Sequence, residues 1–211
     1  MRAFVVHADP TWIVVDKPAG LPSVPGRAIE LHDCAASRAQ AAFADALVVH
    51  RLDMATSGLL VFARGVAHQR TLHRAFAQRQ VHKRYIAVVH GTLIDDAGSI
   101  DLPLIVDWPH RPRQIVDHDR GKPSLTHWRV LSRADGRTVL ALEPVTGRSH
   151  QLRVHCAAIG HPILGDDLYA PPDVAVASPR LLLHAQALTL PHPATGDLTR
   201  FESPAPFVHA T

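Results

Sequence analysis

Apolar positions along the chain fall mostly into short runs closed by proline, glycine or aspartate, a pattern of strands rather than of long helices. Trp12-Ile-Val-Val15 is such a run, ended by the turn Asp16-Lys-Pro-Ala-Gly20. Leu47-Val-Val49 and Gly58-Leu-Leu-Val-Phe-Ala63 follow, with His50-Arg-Leu-Asp53 in the connection between them. Tyr85-Ile-Ala-Val-Val89, Leu125 to Leu131 and Thr138 to Leu142 predict further strands, the last two joined through the Asp135-Gly136 turn signal. Arg180 to His184 and Ala187 to Leu190 add two more, and Pro191 to Gly196 a turn.

Helical spacing breaks this rhythm in a few places. From Val66 to Gln80, Ala67, Leu72, Ala75, Phe76 and Arg79 fit one helical face imperfectly, while Arg70, Arg74 and Gln78 lie elsewhere and give the helix a basic outer side. Ser149 to Ile159 predicts a second helix, with Ser149 as N-cap and Gly160 as its stop, and the Ala-rich stretch before Ala46 contains a third. The segment from Asp95 to Ser124, rich in Pro, Asp and Gly, reads as loops and short hairpins. Many strands with few helices between them predict an α+β fold. A length of 211 residues suits a single domain spanning 1–211.

Composition changes this picture at two points. Cys34 and Cys156 lie far apart without a C-x-x-C pair, which excludes a disulfide framework or zinc knuckle and makes a reducing cytoplasm the expected compartment. The first eighteen residues hold no secretory signal, and no apolar run approaches the roughly 20 residues of a membrane span. The net charge of +3 is modest, but its distribution is not even. No acid occurs from Met54 to Ile94, where Arg64, Arg70, Arg74, Arg79, Lys83 and Arg84 all fall; a second acid-free run, Pro144 to Gly165, holds Arg148 and Arg153. Segregation of this kind predicts a positive field for a polyanion, with salt-sensitive binding.

Asp53, the last acid before the first of these runs, admits two readings from chemistry alone. It is a turn former that accepts bonds from nearby amides, or a reactive carboxylate kept ionised by a cation such as Arg51. Arg148 and Arg153 are either solvated arginines at a helix start or partners of phosphate or carboxylate; five residues apart on a helix, they do not share a face. Tyr85 is a half-buried core aromatic or a surface for a base. Sixteen histidines raise the question of a metal, yet no His-Glu-x-x-His or similar ligand pair occurs. Gly121-Lys-Pro-Ser124 lacks the upstream glycine of a P-loop, and Ser149 lacks a Gly-x-Ser-x-Gly elbow.

HRLDMATSGLLVFA (His50–Ala63), HKRYIAVVHG (His82–Gly91) and TGRSHQLRVHCAAIGHPILGDDLY (Thr146–Tyr169) together resemble the motifs of the RluA-type pseudouridine synthases. DKPAGLPSVPG, DLPLIVDWPHRPRQ, GKPSLTHWRV and PRLLLHAQALTLPHP carry the resemblance across nearly the whole chain. It implies the pseudouridine synthase catalytic fold, a central, mostly antiparallel sheet with flanking helices and loops. Many relatives carry a small RNA-binding domain before it, but with the first catalytic-domain strand beginning by about residue 12 no separate N-terminal RNA-binding domain is expected here. It implies Asp53 as catalytic nucleophile, Tyr85 as the aromatic residue under the target base, and Arg153 as the cation that ion-pairs with the aspartate. Arg51 would help occupy the place of a flipped nucleotide, with Arg148, Arg70, Arg74 and Lys83 as further RNA-binding candidates. The subgroup it most resembles acts on stem-loops of 23S rRNA and of tRNA, without cofactor or metal, membrane or obligatory protein partner. Two rivals share some of these features: a catalytically silent RNA-binding protein, and a metal-dependent hydrolase using the histidines.

Overall fold

The computed structural model describes residues 4–26 and 31–208. Met1, Arg2 and Ala3 of the stretch read as lacking a signal, and both ends of the 1–211 domain assignment, lie outside the described residues. The chain forms two compact units, one from Met1–Lys83 with Ala185–Thr211 and the other from Arg84–His184. In chain order the elements are β1 (Val5–Ala8), β2 (Trp12–Lys17), α1 (Ala35–Ala42), β3 (Ala46–Val48), β4 (Ser57–Arg64), α2 (Gly65–Ala77) and β5 (His82–His90). β6 (Ala97–Asp101), β7 (Leu104–Val106), β8 (Gln114–Val116), β9 (Leu125–Ala134), β10 (Arg137–Pro144), α3 (Gln151–Ala158), α4 (Pro172–Ala175), β11 (Leu183–Pro191) and β12 (Leu198–Glu202) follow. The α+β expectation holds.

The first unit is built on the antiparallel pair β2–β4, whose register runs from Trp12 opposite Ala63 to Lys17 opposite Gly58. Both strands are buried on both faces, which explains why their sequences are continuous apolar runs instead of alternating ones. On one face Trp12, Val14, Leu59, Val61 and Ala63 pack with Leu72 and Ala75 of α2 and with Leu188, Leu190 and Phe201. β1 lies on β2, β3 on β4 and β12 on β11, all antiparallel. The two strands expected at 180–184 and 187–190 are one, β11. Only glycine suits position 58: its φ is +111°, and a Cβ there would fall 2.4 Å from the carbonyl oxygen of Ala185.

The second unit is built on antiparallel strands in the order β5-β10-β9-β6, of which only β9 and β10 are consecutive in the chain, with β7–β8 as a separate hairpin. The β9–β10 turn falls at Asp135 and Gly136, both with positive φ (51° and 67°), as two-residue hairpin turns require. The second helix differs from expectation at its start. Its N-cap is His150 in the left-handed region, φ 54°, with no side-chain cap of its own. The reason is Gln151, whose Oε1 accepts from the Arg148 N–H (3.0 Å) and the Thr146 hydroxyl (2.7 Å), so the residue inside the helix ties down the turn in front of it.

Gly58→Ala combines a disfavoured φ with backbone overlap, and is expected to destabilise the protein by about 2–4 kcal/mol in urea unfolding. A variant as stable as wild type would show that β4 can move away from Ala185.

Candidate active site

Asp53 lies in the loop between β3 and β4, and that loop is held from several directions by residues distant in sequence. Leu52 is buried, and its backbone is clamped at both polar groups by Ser23: the Ser23 hydroxyl donates to the Leu52 carbonyl (2.7 Å) and its oxygen accepts from the Leu52 N–H (3.0 Å). On the other side of Asp53, the Met54 carbonyl accepts from the Gly20 N–H (2.9 Å) and from the ammonium of Lys17 (3.0 Å). The Thr56 N–H closes a turn onto the Asp53 carbonyl (3.1 Å). Lys17 has no exposed surface, and its ammonium also donates to the carbonyls of Pro18 (3.0 Å) and Leu21 (2.7 Å). Burying a charge is tolerable only with such bonds in place. The loop is therefore fixed before any ligand arrives, with Asp53 half-buried and Arg51 exposed.

His50, at the start of this loop, is anchored to β4 and α2. Its Nε2 accepts from the Val61 N–H of β4 (3.0 Å), and its ring stacks on Phe76 of α2 at 4.7 Å. Burial, reinforced by the charge of Lys83, pushes its pKa down to about 3, so the ring is neutral at physiological pH. Burial likewise lowers Lys83 to about 8. Lys83 is half-buried, while Arg70 and Arg74 stand exposed on the outer side of α2.

In the second unit Tyr85 is half-buried on β5, in register with Leu142 of β10. Arg153 is buried on α3 and makes a two-pronged bond to the equally buried Asp166, Nε to Oδ2 at 2.8 Å and Nη2 to Oδ1 at 2.5 Å. Nη2 also reaches Asp167 (2.9 Å), and the guanidinium carbon lies 5.1 Å from the centroid of the Tyr169 ring. Asp166 is itself oriented by the N–H groups of Leu168 (3.0 Å) and Tyr169 (3.1 Å). Arg148 is exposed, its Nε donating to the Pro123 carbonyl (3.4 Å). Among the described residues no cluster of His, Cys, Asp and Glu is placed to hold a metal ion.

Sequence reasoning did not single out Lys17, Ser23, His50 or Asp166. The first two were visible only as part of a loop motif. Asp166 had one usable signal, since Asp166-Asp167 ends the acid-free run that contains Arg153.

The family profile described as RNA pseudouridylate synthase matches residues 11–158, which includes the Asp53 loop, Tyr85 and Arg153. The chain belongs to this family. As a pseudouridine synthase it is an enzyme that isomerises uridine in RNA. It is 52% identical over 204 residues to the dual-specificity RNA pseudouridine synthase RluA of Yersinia pestis, covering 96% of this chain and 99% of that one. With the protein of the same name from Escherichia coli it shares 49% identity over 204 residues, 96% of this chain and 93% of the other. Human RNA pseudouridylate synthase domain containing 1 has the same fold, with a TM-score of 0.83 at 30% identity over 97% of this chain and 84% of its own. For human domain containing 4 the TM-score is 0.78 at 26% identity, over 97% and 89%.

Two stability predictions follow from how this synthase holds its charged groups. Asp166→Asn leaves a buried guanidinium short of its charge partner and is expected to cost about 3–5 kcal/mol in urea unfolding; a loss below about 1 kcal/mol would mean that Asp167 or solvent takes over. For His50, the folded chain refuses a proton that the unfolded chain accepts near pH 6.5. Its contribution is complete above that pH and is lost as pH falls toward 3, at about 1.4 kcal/mol per pH unit. Unfolding of wild type and His50→Gln between pH 7.5 and 4.5 should show a shallower pH dependence in the variant, and parallel curves would mean that the ring protonates in the native state.

Proposed function

We propose that the protein isomerises specific uridines to pseudouridine in stem-loops of 23S rRNA and in the anticodon loop of tRNA, with Asp53 as the reacting carboxylate. The family match supports RNA as substrate, and the dual specificity in the names of its relatives supports two kinds of target. The observation that carries the assignment to Asp53 is the bracing of its loop on both sides by Ser23, Gly20 and Lys17. A reactive group held on a rigid scaffold needs no reorganisation in the transition state.

The chemistry asks little else of the protein. The bond from N1 to the ribose breaks, the base turns, C5 bonds to the ribose, and the C5 proton is exchanged for one on N1, so nothing is oxidised or reduced. A carboxylate serves by attacking the sugar, by adding to the base or by assisting elimination. Taking the target base out of its stack costs a few kcal/mol and calls for replacement contacts. Arg51, exposed beside Asp53, is suited to fill the vacated place, and Tyr85 to pack against the extruded base. Arg153, oriented by Asp166, supplies a fixed positive charge. Arg70 and Arg74 on the outer side of α2, with Arg148, are suited to the phosphate backbone; Lys83, half-buried and close enough to His50 to lower its pKa, is suited to act on the electrostatics around the Asp53 loop.

Tritium release from 5-tritiated uridine, measured on separate tRNA and 23S rRNA fragment transcripts, tests this reading. Asp53→Asn is expected to lower release by at least about a thousandfold on both while leaving RNA binding within a few-fold. Residual turnover near the wild-type rate would remove Asp53 from the role. Binding without release in wild type itself would favour the catalytically silent alternative.

A further inference from the structure

The hairpin β7–β8 presents an aromatic surface that none of the roles above uses. Its turn, residues 107–113, is closed on itself: the Asp107 N–H donates to the Arg113 carbonyl (2.9 Å), His110 N–H to the Asp107 carbonyl (3.1 Å) and Arg113 N–H to the His110 carbonyl (3.1 Å). The Asp107 carboxylate is taken up by the His110 ring at 2.9 Å. At the tip stands Trp108, 64% exposed and the only aromatic among the exposed large apolar residues of the described chain. The Arg111 guanidinium covers one side of the indole, 4.4 Å from its centroid. A turn this tightly closed could not present the ring by accident of mobility, and an indole left in water forgoes the stabilisation of burial.

The hairpin is also tied to the segment that orients Arg153. The Gln114 N–H donates to the Tyr169 hydroxyl (2.8 Å), Arg113 donates to the Leu168 carbonyl, and the Arg113 and Arg153 guanidinium carbons lie 5.7 and 5.1 Å from the same Tyr169 ring. The tip is cationic as well as aromatic, since Arg111 and Arg113 are exposed and the acid of the turn is already engaged. An open aromatic face beside a guanidinium matches an unpaired nucleobase and its phosphate, because stacking supplies contact area and the cation meets the backbone charge.

We propose that Trp108 and Arg111 form a second RNA subsite, in which an unpaired base other than the target uridine stacks on the free face of Trp108 while Arg111 meets the adjoining phosphate. The proposal rests on RNA being the substrate. Every base has a stacking face, so such a contact is tolerant of sequence. It therefore suits an enzyme that must hold two stem-loops of different sequence, since it adds affinity without choosing between them.

Binding of the anticodon stem-loop transcript, followed by tryptophan fluorescence and by filter retention, tests the subsite. Trp108→Ala is expected to raise Kd about tenfold, Trp108→Phe to recover most of that loss, and Arg111→Ala to lower the salt slope by about 1. Fluorescence quenching on RNA binding should disappear in Trp108→Phe, because Trp12 is buried and Trp128 half-buried. With a stem-loop carrying abasic loop nucleotides, wild type and Trp108→Ala should bind alike. Unchanged Kd in Trp108→Ala, alongside normal tritium release by wild type, overturns the subsite and leaves the synthase assignment standing. A Trp108 effect that persists on the abasic RNA also overturns it, while wild type that neither binds nor releases tritium from any RNA overturns both.

Discussion

The ammonium of Lys17 is the constraint on which the arrangement around Asp53 depends. It is buried without exposed surface, so it must find acceptors, and those it finds are the carbonyls of Pro18, Leu21 and Met54. Lys17 closes β2, opposite Gly58 at the opening of β4, and from there its side chain joins the turn after β2 to the loop before β4. The register of β2 on β4 is in turn fixed by apolar residues buried on both faces, where a one-residue slip would be prohibitive. Core packing therefore places the ammonium, the ammonium places the Met54 carbonyl, and the peptide beside it carries Asp53.

The second unit meets a similar problem with the opposite partner. Arg153 is a buried cation on a helix with no acid in its first turn, and its charge is matched by Asp166, held in turn by the N–H groups of Leu168 and Tyr169. Pairing of this kind adds little net stability relative to apolar packing, but it makes the position of a guanidinium unambiguous. It also revises the charge reading. Asp166 and Asp167 neutralise an arginine that the linear sequence places in an acid-free run, and Arg64 of the first run is paired with Asp45. What remains as exposed positive surface in that run is concentrated at Arg70, Arg74 and Arg79, on and just after α2.

Much of the fold was legible because its central strands are apolar throughout and its turns use the residues that turns require. β1, β6 and β12 were not, since each is short and half-exposed and mixes polar residues with apolar ones, leaving no period to read. The end of the Ala185–Leu190 stretch was legible as strand, but Gln186 made β11 look like two. At the site, the reactive types were visible as motif residues, whereas their supports were not. Ser23 acts 29 positions from Leu52, Lys17 acts 37 from Met54, and Asp166 acts 13 from Arg153. No local pattern encodes such bonds, because each depends on where the fold brings two buried polar groups together.

His50 shows how the foundation of the loop is kept constant as conditions change. Its Nε2 is occupied in accepting the Val61 N–H, so protonation there would break a bond to β4, and a proton would also add a second cation near Lys83. Hydrogen bonding and burial thus select the same state, a neutral ring with its hydrogen on Nδ1. Lys83, lowered to about 8, keeps most of its charge at neutral pH while remaining the group most readily discharged above it. The ring beside the loop therefore stays neutral until the pH falls toward about 3, while raising the pH through about 8 removes the positive charge of Lys83.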